Sequence, residues 1–197
     1  MWDERYSADE YIYGKDPNEF LANAVDKLPQ GKILCVAEGE GRNAVFLATH
    51  GYEVVAVDSS AVGLKKAKKL AEERGVGIET VVTDLAHFDI EPESWDGVVS
   101  IFAHLPPVVR KELHKKIVNG LRPGGVLILE AYRPDQLKYK TGGPPTADFM
   151  MTLQSLEEEL SGLEFEYAVE LDRDVIEGQF HTGKGAVVQL IGRKPVE

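Results

Sequence analysis

The chain has 197 residues, with 22 basic and 33 acidic side chains and a formal net charge of −11. Its length is that of one domain, and 43% hydrophobic with 28% charged residues excludes disordered, collagen-like and coiled-coil classes. No apolar run approaches the roughly 20 residues of a membrane span, and residues 1–14 lack the regions of a secretory signal. We therefore expect a cytoplasmic protein with no membrane partner. The acidic balance also argues against nucleic acid.

The first 132 residues show a regular succession of secondary-structure patterns. Residues 1–30 hold several aromatic side chains and one helix, for which Asp16, Pro17 and Glu19 provide a capping box. From residue 31 onward, strand and helix patterns alternate, which predicts a parallel sheet with helices on both faces. The predicted strands are 32–37, 52–57, 78–82, 95–102 and 124–131, and the predicted helices between them are 42–50, 59–74 and 106–121.

The remaining residues change character. Residues 133–150 are rich in Gly and Pro and have no hydrophobic period, so we interpret them as a candidate substrate loop. A helix at about 153–160 and two late strands, 163–174 and 184–193, complete the chain, and GQFHTGKG joins the strands as an antiparallel hairpin.

Together these patterns predict a single domain over residues 1–197 with an α/β, doubly wound, three-layer αβα fold. Its seven-stranded mixed sheet has parallel strands in the order 3-2-1-4-5 and the terminal hairpin at its edge. We divide it into an N-terminal cover and helix (1–30), a cofactor-binding core (31–132), the candidate substrate loop (133–150) and the terminal helix and hairpin (151–197).

Several chemically informative residues follow the predicted strands. Ligands of open parallel sheets bind beyond the carboxyl ends of the strands. The turn Gly39-Glu40-Gly41 follows the first strand and opens a helix, and Asp58 ends the second strand. A carboxylate at that position accepts hydrogen bonds from ribose hydroxyls. This combination predicts a nucleoside-containing cofactor.

Charges in the glycine turn indicate which cofactor this is. Glu38 and Glu40 would repel a pyrophosphate, which needs bare backbone N–H groups, but would attract a sulfonium or ammonium group. This favours S-adenosyl-L-methionine over NAD. The single cysteine, Cys35, lies inside an apolar run and is predicted to be a buried strand residue. The histidines have no ligand spacing, so we predict no metal.

The set ILCVAEGEGRNAVFLA, VVAVDSS, VVTDLAHF, WDGVVSIFAHLP and LRPGGVLILEAY resembles the class I S-adenosylmethionine-dependent methyltransferases. The N-terminal region and the GEGRNAVFLA helix resemble the small tellurite-resistance and thiopurine-type members. The resemblance implies a Rossmann-like fold, S-adenosyl-L-methionine as cofactor and a small-molecule acceptor. The residues expected to bind the cofactor are Tyr13, Ala37, Glu38, Gly39, Gly41, Asn43, Asp58, Ser59, Asp84, Leu85, Ile101 and Phe102. Two positions depart from the family pattern, since Cys35 replaces an acid and Ala37 replaces a glycine.

The resemblance also frames the expected chemistry at the acceptor. A nucleophile that carries a proton needs a base, and His104, after the fourth strand, is the candidate, together with Tyr132 after the fifth. His104 as a plain helix-entry residue remains an equal alternative. Tyr6, Arg133 and Tyr139 are candidate substrate contacts.

Two further expectations concern the loops. Residues 133–150 are predicted to form a lid with Gly142-Gly143 as hinge, and His181 is expected to be an exposed turn residue.

Two other functions stay open at this point. An NAD(P)-dependent oxidoreductase would need a Tyr-x-x-x-Lys pair after the glycine turn, and the one match, Tyr11 to Lys15, precedes it. A non-catalytic S-adenosylmethionine-fold binding protein is compatible with the departures at Cys35 and Ala37. We expect a monomer or a homodimer.

Overall fold

The computed structural model describes residues 1–196, and all its strands belong to one seven-stranded sheet of order β3-β2-β1-β4-β5-β7-β6. The strands are β1 Lys32–Val36, β2 Glu53–Asp58, β3 Glu79–Val82, β4 Trp95–Ile101, β5 Leu121–Tyr132, β6 Glu164–Ile176 and β7 Thr182–Arg193. The α-helices are α1 Trp2–Arg5, α2 Glu19–Ala24, α3 Arg42–Thr49, α4 Ala61–Glu73, α5 Pro107–Gly120 and α6 Leu153–Glu159.

Strand pairing confirms the predicted topology. Strands β1 to β5 pair in parallel, whereas β7 pairs antiparallel with both β5 and β6. Because β6 runs in the same direction as β5, the carboxyl end of β6 and the loop 177–181 lie at the same edge of the sheet as the carboxyl ends of β1, β2 and β4. The terminal hairpin therefore reaches the edge where a ligand is expected.

Both faces of the central strands are buried, which explains their nearly continuous apolar sequence. Leu34 and Val36 of β1 pack into a cluster with α5 and α6, whereas Ile33 and Cys35 pack with α2, α3 and α4. Cys35 is fully buried, as its sequence context predicted, and burial raises the pKa of its thiol. None of the helices within residues 1–196 is long and apolar enough to cross a membrane.

The cap of α2 differs from the prediction. Asn18, not Asp16, caps this helix, because its side-chain oxygen accepts a hydrogen bond of 2.9 Å from the backbone N–H of Leu21. Glu19 is then the first helical residue and cannot complete the predicted capping box. The helix also ends early, in a 3₁₀ turn over Val25–Lys27.

The segment 133–150 contains two short 3₁₀ turns, Pro134–Lys138 and Ala147–Phe149, and is bound to β7. Gln136 is buried, and its side chain accepts a hydrogen bond from the backbone N–H of Ala186 and donates to Thr141 and to the carbonyl of Gly142. A side chain at Gly142 would clash with the backbone carbonyl of Phe180. Close packing, and not only a hinge, therefore requires glycine there.

The residue that replaces the first family glycine adopts a conformation that favours glycine. Ala37 has a φ of +51°, in the left-handed region that disfavours residues with a Cβ by about 1–2 kcal/mol. We expect Ala37→Gly to stabilise the fold by about 0.5–1 kcal/mol, after the greater chain entropy of glycine in the unfolded state is subtracted. Urea unfolding measures this change. Ala48→Gly, in the right-handed helix α3, is the control and should lose about 1 kcal/mol. A loss in both variants would contradict the strain at Ala37.

Candidate functional site

The glycine turn joins β1 to α3 at the carboxyl edge of the sheet. Gly39 and Gly41 have positive φ angles of 60° and 87°. A Cβ at Gly41 would lie 2.7 Å from the Cα of Ala67 in α4 and closer still to its Cβ, so this glycine lets the two helices approach. A Cβ at Gly39 would lie 2.6 Å from the hydroxyl of Tyr6. The turn thus presents bare backbone beneath the N-terminal segment.

Asp58 connects this turn to the end of β2. Its Oδ2 accepts a hydrogen bond of 2.8 Å from the backbone N–H of Gly39, and its Oδ1 accepts one of 2.8 Å from that of Ser60. The side chain is buried, and this burial raises the pKa of the carboxyl group. A carboxylate offers about four acceptor positions, so two remain for further donors such as ribose hydroxyls.

The predicted adenine side of the site is more open. Asp84 is exposed at the end of β3, and its Oδ1 accepts a hydrogen bond of 2.9 Å from the backbone N–H of Ala86. Ser59 is also exposed. Leu85 and Ile101 are buried in the cores on the two faces of the sheet, so each contributes a wall instead of a polar contact.

The two turn glutamates have different roles, which corrects the electrostatic prediction in part. Glu40 is buried and paired, because Lys66 Nζ lies 2.5 Å from its Oε1 and the backbone N–H of Ile12 donates to its Oε2 at 2.8 Å. Its charge is therefore not directed at a ligand. Glu38 keeps this possibility, since no basic side chain within residues 1–196 is bound to it and its Oε1 accepts a hydrogen bond of 2.7 Å from the backbone N–H of Ala44.

Glu38 is expected to make cofactor binding depend on pH. Burial raises the pKa of its carboxyl group to about 7, against the opposing effects of the Ala44 N–H and of Arg42. A raised pKa in the folded state means that the neutral form stabilises the fold, and that this stability is lost as the pH rises towards and through 7.

Glu38→Gln should therefore stabilise the free protein by about 1–2 kcal/mol at pH 8 and by much less at pH 4.5. If the Glu38 carboxylate meets the ammonium group of the cofactor, S-adenosylhomocysteine should bind the unaltered protein more tightly at pH 8 than at pH 6. Calorimetric titration at both pH values, with Glu38→Gln as the pH-insensitive reference, measures this. If the affinity changed equally between pH 6 and pH 8 in the two proteins, that result would argue against the contact between Glu38 and the ammonium group.

The N-terminal segment covers the glycine turn, as the resemblance implied for Tyr6 and Tyr13. Asp3 Oδ1 accepts the hydroxyl of Ser60 at 2.5 Å, at the start of α4. Lys66 Nζ donates to the carbonyls of Ala8 and Glu10 at 2.9 and 2.6 Å. Since Glu40 accepts the N–H groups of Ile12 and Tyr13, α4 and the turn together hold the segment over Asp58.

Next to this cover lies a group of rings that we call the aromatic cluster, composed of Tyr13, Phe102, His104, Tyr132 and His181. Phe102 and Tyr132 stack with centroids 4.7 Å apart, and His181 lies 4.6 Å from Phe102 and 4.5 Å from Tyr13. Phe102 has a positive φ of 52°, which turns its ring from the end of β4 into the cluster. The cluster therefore lies at the carboxyl ends of β4 and β5, beside the N-terminal segment that carries Tyr13.

Within the cluster, His104 does not have the geometry of the predicted base. Its Nε2 accepts a hydrogen bond of 3.0 Å from the backbone N–H of Tyr132, which uses the lone pair that a base needs. Burial also lowers the pKa of His104 to about 3. His104 therefore joins the end of β4 to the end of β5. Burial, followed by nearby carboxylates, raises the pKa of Tyr132, so its hydroxyl stays protonated at neutral pH.

His181, in contrast, was expected to be exposed, and the structure shows this to be wrong. Its ring packs into the cluster, and its Nδ1 is buried with no hydrogen-bond partner among the residues described. Burial lowers the pKa of His181 to about 3, and the Arg42 charge acts in the same direction. The ring is therefore neutral at neutral pH. The polar loop that carries His181 gives no periodic signal that would have indicated its burial.

A buried ionic network supports the cluster from below. Glu177 accepts hydrogen bonds from Arg42 at 2.7 Å, from Arg173 at 3.0 Å and from Asn18 at 3.0 Å. Arg173 also pairs with the fully buried Glu130. Asn43, a predicted cofactor residue, accepts the backbone N–H of Asn18 at 2.9 Å and so also positions α2. The network holds the hairpin loop against α3.

Two other predicted substrate residues, Arg133 and Tyr139, are engaged by acidic side chains. Arg133 forms ion pairs with Asp135 and Asp172, and the Tyr139 hydroxyl donates to Asp172 at 2.6 Å. Asp135 also accepts from Lys138 at 2.7 Å. Arg133 and Lys138 are thus neutralised by neighbouring acids, which argues against an anionic acceptor site built on these two residues.

The residues at this edge fit a sulfonium-bearing nucleoside. Gly39 lets the Tyr6 hydroxyl approach the bare backbone of the turn, and Asp58 has unused acceptor capacity. Arg42 Nη1 and His181 Nδ1 are buried without partners within residues 1–196, so donor and acceptor atoms remain for groups that the chain does not supply. Within the same range, no group of three or more His, Cys, Asp or Glu residues could hold a metal ion.

The sheet order is that of the Rossmann-like methyltransferase fold, as the resemblance to the class I S-adenosylmethionine-dependent methyltransferases implied. Residues 33–125 match a family model described as a methyltransferase domain. The chain is 29% identical over 134 residues to glycine/sarcosine N-methyltransferase of Halorhodospira halochloris, which covers 66% of this chain and 47% of that protein. It is 31% identical over 137 residues to a tRNA (uracil(54)-C(5))-methyltransferase of Pyrococcus furiosus, which covers 69% of this chain and 29% of that protein.

Solved structures extend the similarity to nearly the whole chain. TehB from Haemophilus influenzae superposes with a TM-score of 0.75 at 20% identity, over 98% of this chain and 65% of TehB. At this identity the match shows the fold alone. The chain spans less than half the length of either curated relative, so its own reaction rests on the site.

Proposed function

We propose that this protein transfers the methyl group of S-adenosyl-L-methionine to a small-molecule acceptor. The observation that carries the proposal is the aromatic cluster beside the glycine turn, with the unpaired Nδ1 of His181 buried inside it. When bound, the cofactor supplies an electrophilic methyl group, so the chain has only to hold the acceptor in line and exclude water.

Each part of the site has a separate task in this proposal. Asp58 accepts the ribose hydroxyls, Glu38 meets the ammonium group, and Tyr6 covers the nucleoside. His181 Nδ1 accepts a hydrogen bond from the proton-bearing atom of the acceptor and so directs its lone pair towards the methyl group. With a pKa near 3, His181 enters the reaction unprotonated. His181 is therefore a weak base. This suits a role in orienting the acceptor, whether the acceptor is acidic or neutral.

Charge and enclosure favour a small acceptor over tRNA. The net charge of −11 opposes approach to a phosphate backbone, and the basic residues Arg133 and Lys138 are paired with acids. The rings of Tyr13 and Phe102 also lie close to His181, so a bulky acceptor has little room.

Ligand binding and turnover test this proposal separately. S-adenosylhomocysteine should raise the melting temperature, whereas NAD should not; stabilisation by NAD would favour the oxidoreductase. Methyl transfer from labelled cofactor to a panel of thiols, amines, small acids and unmodified tRNA then identifies the acceptor class. Cofactor binding with no turnover on any acceptor would favour the non-catalytic binding protein, and labelling of tRNA alone would refute the small-molecule assignment.

His181 provides the matched variant for the turnover assay. His181→Ala should lower turnover by about 100-fold, the size of effect expected when a reacting group is no longer held in line, with little change in cofactor affinity. Gln179→Ala, in the same hairpin loop but exposed, should leave turnover unchanged. Equal turnover of the two variants would remove His181 from the reaction.

The segment 133–150 remains a candidate lid, but alanine substitutions at Gly142 and Gly143 would not test its motion cleanly. Side chains at Gly142 and Gly143 would contact Phe180 and Tyr132, so alanine there would distort the fold as well as stiffen a hinge. Hydrogen exchange across 133–150, with and without S-adenosylhomocysteine and an acceptor, is the direct measurement. Equal protection in every state would show a fixed structural loop.

A further inference from the structure

Arg42 is a buried arginine with one unused side of its guanidinium group. It is the first residue of α3, directly after the glycine turn, and is 7% exposed. Its Nη2 donates to Glu177 Oε2 at 2.7 Å. Its Nη1 is buried and has no hydrogen-bond partner within residues 1–196.

An unpaired buried donor of this kind is unfavourable by about 1–3 kcal/mol, and by more on a charged group. Two other arginines of the chain use their donors more fully. Arg110 binds Glu159 and the carbonyls of Asp148 and Met150. Arg173 binds Glu130, Glu177 and the carbonyl of Asp174. The unused Nη1 of Arg42 therefore indicates a ligand group that the chain itself does not provide.

The position of Arg42 limits what this group can be. It directly follows Gly41 of the glycine turn, and its partner Glu177 begins the hairpin loop that carries His181 of the aromatic cluster. Arg42 thus lies between the two halves of the site. A guanidinium group prefers carboxylate oxygens, and a second anionic partner is compatible because Glu177 is shared with Arg173.

We infer that Arg42 Nη1 binds a carboxylate in this site. This inference rests on the proposed function, since the site must hold cofactor and acceptor. The carboxylate has two possible sources: the methionine end of the cofactor, or an acceptor that is itself a carboxylic acid. Both present the same chemistry to Nη1, and they can be separated by ligands that contain or lack the group.

Arg42→Lys is the variant that isolates the unused nitrogen. Lysine keeps a positive charge, so the buried carboxylate of Glu177 still has a partner. Lysine has only one side-chain nitrogen, so the group that Nη1 would bind loses its donor. Binding of S-adenosylhomocysteine, which carries the carboxylate, is compared with binding of 5′-methylthioadenosine, which lacks the whole amino-acid end. If the cofactor is the source, Arg42→Lys should weaken S-adenosylhomocysteine about tenfold and leave 5′-methylthioadenosine unchanged.

The second arm tests the acceptor. Benzoate is titrated into the protein loaded with S-adenosylhomocysteine, as a simple carboxylate that carries no methylation site of its own. If the acceptor is the source, the unaltered protein should bind benzoate and Arg42→Lys should lose that binding, while S-adenosylhomocysteine affinity stays the same. Unchanged affinity for all three ligands in Arg42→Lys would overturn the inference and leave the proposed function intact. Failure of the unaltered protein to bind either nucleoside would overturn both.

Arg110→Lys is the matched control, because Arg110 is equally buried but packs between α5 and α6 on the opposite face of the sheet. Arg110→Lys should change the free energy of unfolding, but it should not change the affinity for ligands with a carboxylate relative to ligands without one. If Arg42→Lys does not fold by urea titration, the double variant Arg42→Gln with Glu177→Gln removes both charges together and is tested in the same way. Equal ligand selectivity in this double variant and the unaltered protein would also overturn the inference.

Discussion

Replacement of Asp58 by alanine is expected to weaken cofactor binding by about 2–3 kcal/mol, or roughly 30- to 150-fold, because a charged acceptor is removed from two hydroxyl donors. The loop should also lose stability. Asp58 accepts the backbone N–H groups of Gly39 and Ser60, which lose their acceptor in this variant. Calorimetric titration with S-adenosylhomocysteine, together with urea unfolding, measures the two effects separately.

Two companion variants make this result specific. Asp58→Asn keeps an acceptor oxygen and the side-chain volume, so it should retain more of the stability while still losing affinity. Glu53→Ala removes an exposed acid at the other end of the same strand, β2, and should change neither quantity. An unchanged affinity in folded Asp58→Ala would show that Asp58 only orders the turn.

Replacement of Gly41 by alanine is expected to destabilise the fold by more than about 3 kcal/mol, the range of severe overpacking and backbone strain combined. The added Cβ would lie 2.7 Å from the Cα of Ala67, so α3 and α4 would have to separate. Lys66, next to Ala67, holds the N-terminal cover, so cofactor affinity should fall as well. Urea unfolding and S-adenosylhomocysteine titration measure the two losses.

Gly51 offers an unusually close control. It has the same φ of +87° as Gly41, but no atom lies within 4 Å of the position of its Cβ. Gly51→Ala should therefore show the left-handed strain alone, about 1–2 kcal/mol, with cofactor affinity unchanged. Similar losses in the two variants would mean that backbone conformation, and not the approach of the two helices, makes Gly41 necessary.

The predicted core strands were recognisable because their environment is uniform. Residues of β1, β2 and β4 are buried on both faces, which demands apolar side chains at successive positions whatever the details of packing.

The ends of strands and helices were less predictable, because local and tertiary contacts compete there. The fifth strand begins at Leu121, three residues before its predicted start, because β5 continues its pairing with β4. The cap of α2 moved from Asp16 to Asn18, whose amide also donates to Glu130 and Glu177.

The candidate site, like the fold, was predictable from the sequence only in part. Local sequence was sufficient for the glycine turn and Asp58, since a turn between a strand and a helix requires particular residues at adjacent positions. It could not establish which turn glutamate stays available, because Lys66 and the N-terminal backbone that neutralise Glu40 come from distant segments. Nor could it distinguish His104 from His181, which differ in their hydrogen-bond partners and not in sequence context.

By itself, therefore, the sequence determined the sheet order, the class of domain and the edge at which we propose that a nucleoside binds. These depend on hydrophobic periodicity and on short motifs, which are local properties of the chain. Only the tertiary structure decided which polar atoms remain unpaired at that edge, notably Arg42 Nη1 and His181 Nδ1. The pairing of a buried polar atom depends on every segment that reaches it, and here the hairpin loop arrives from the far end of the chain to complete the site.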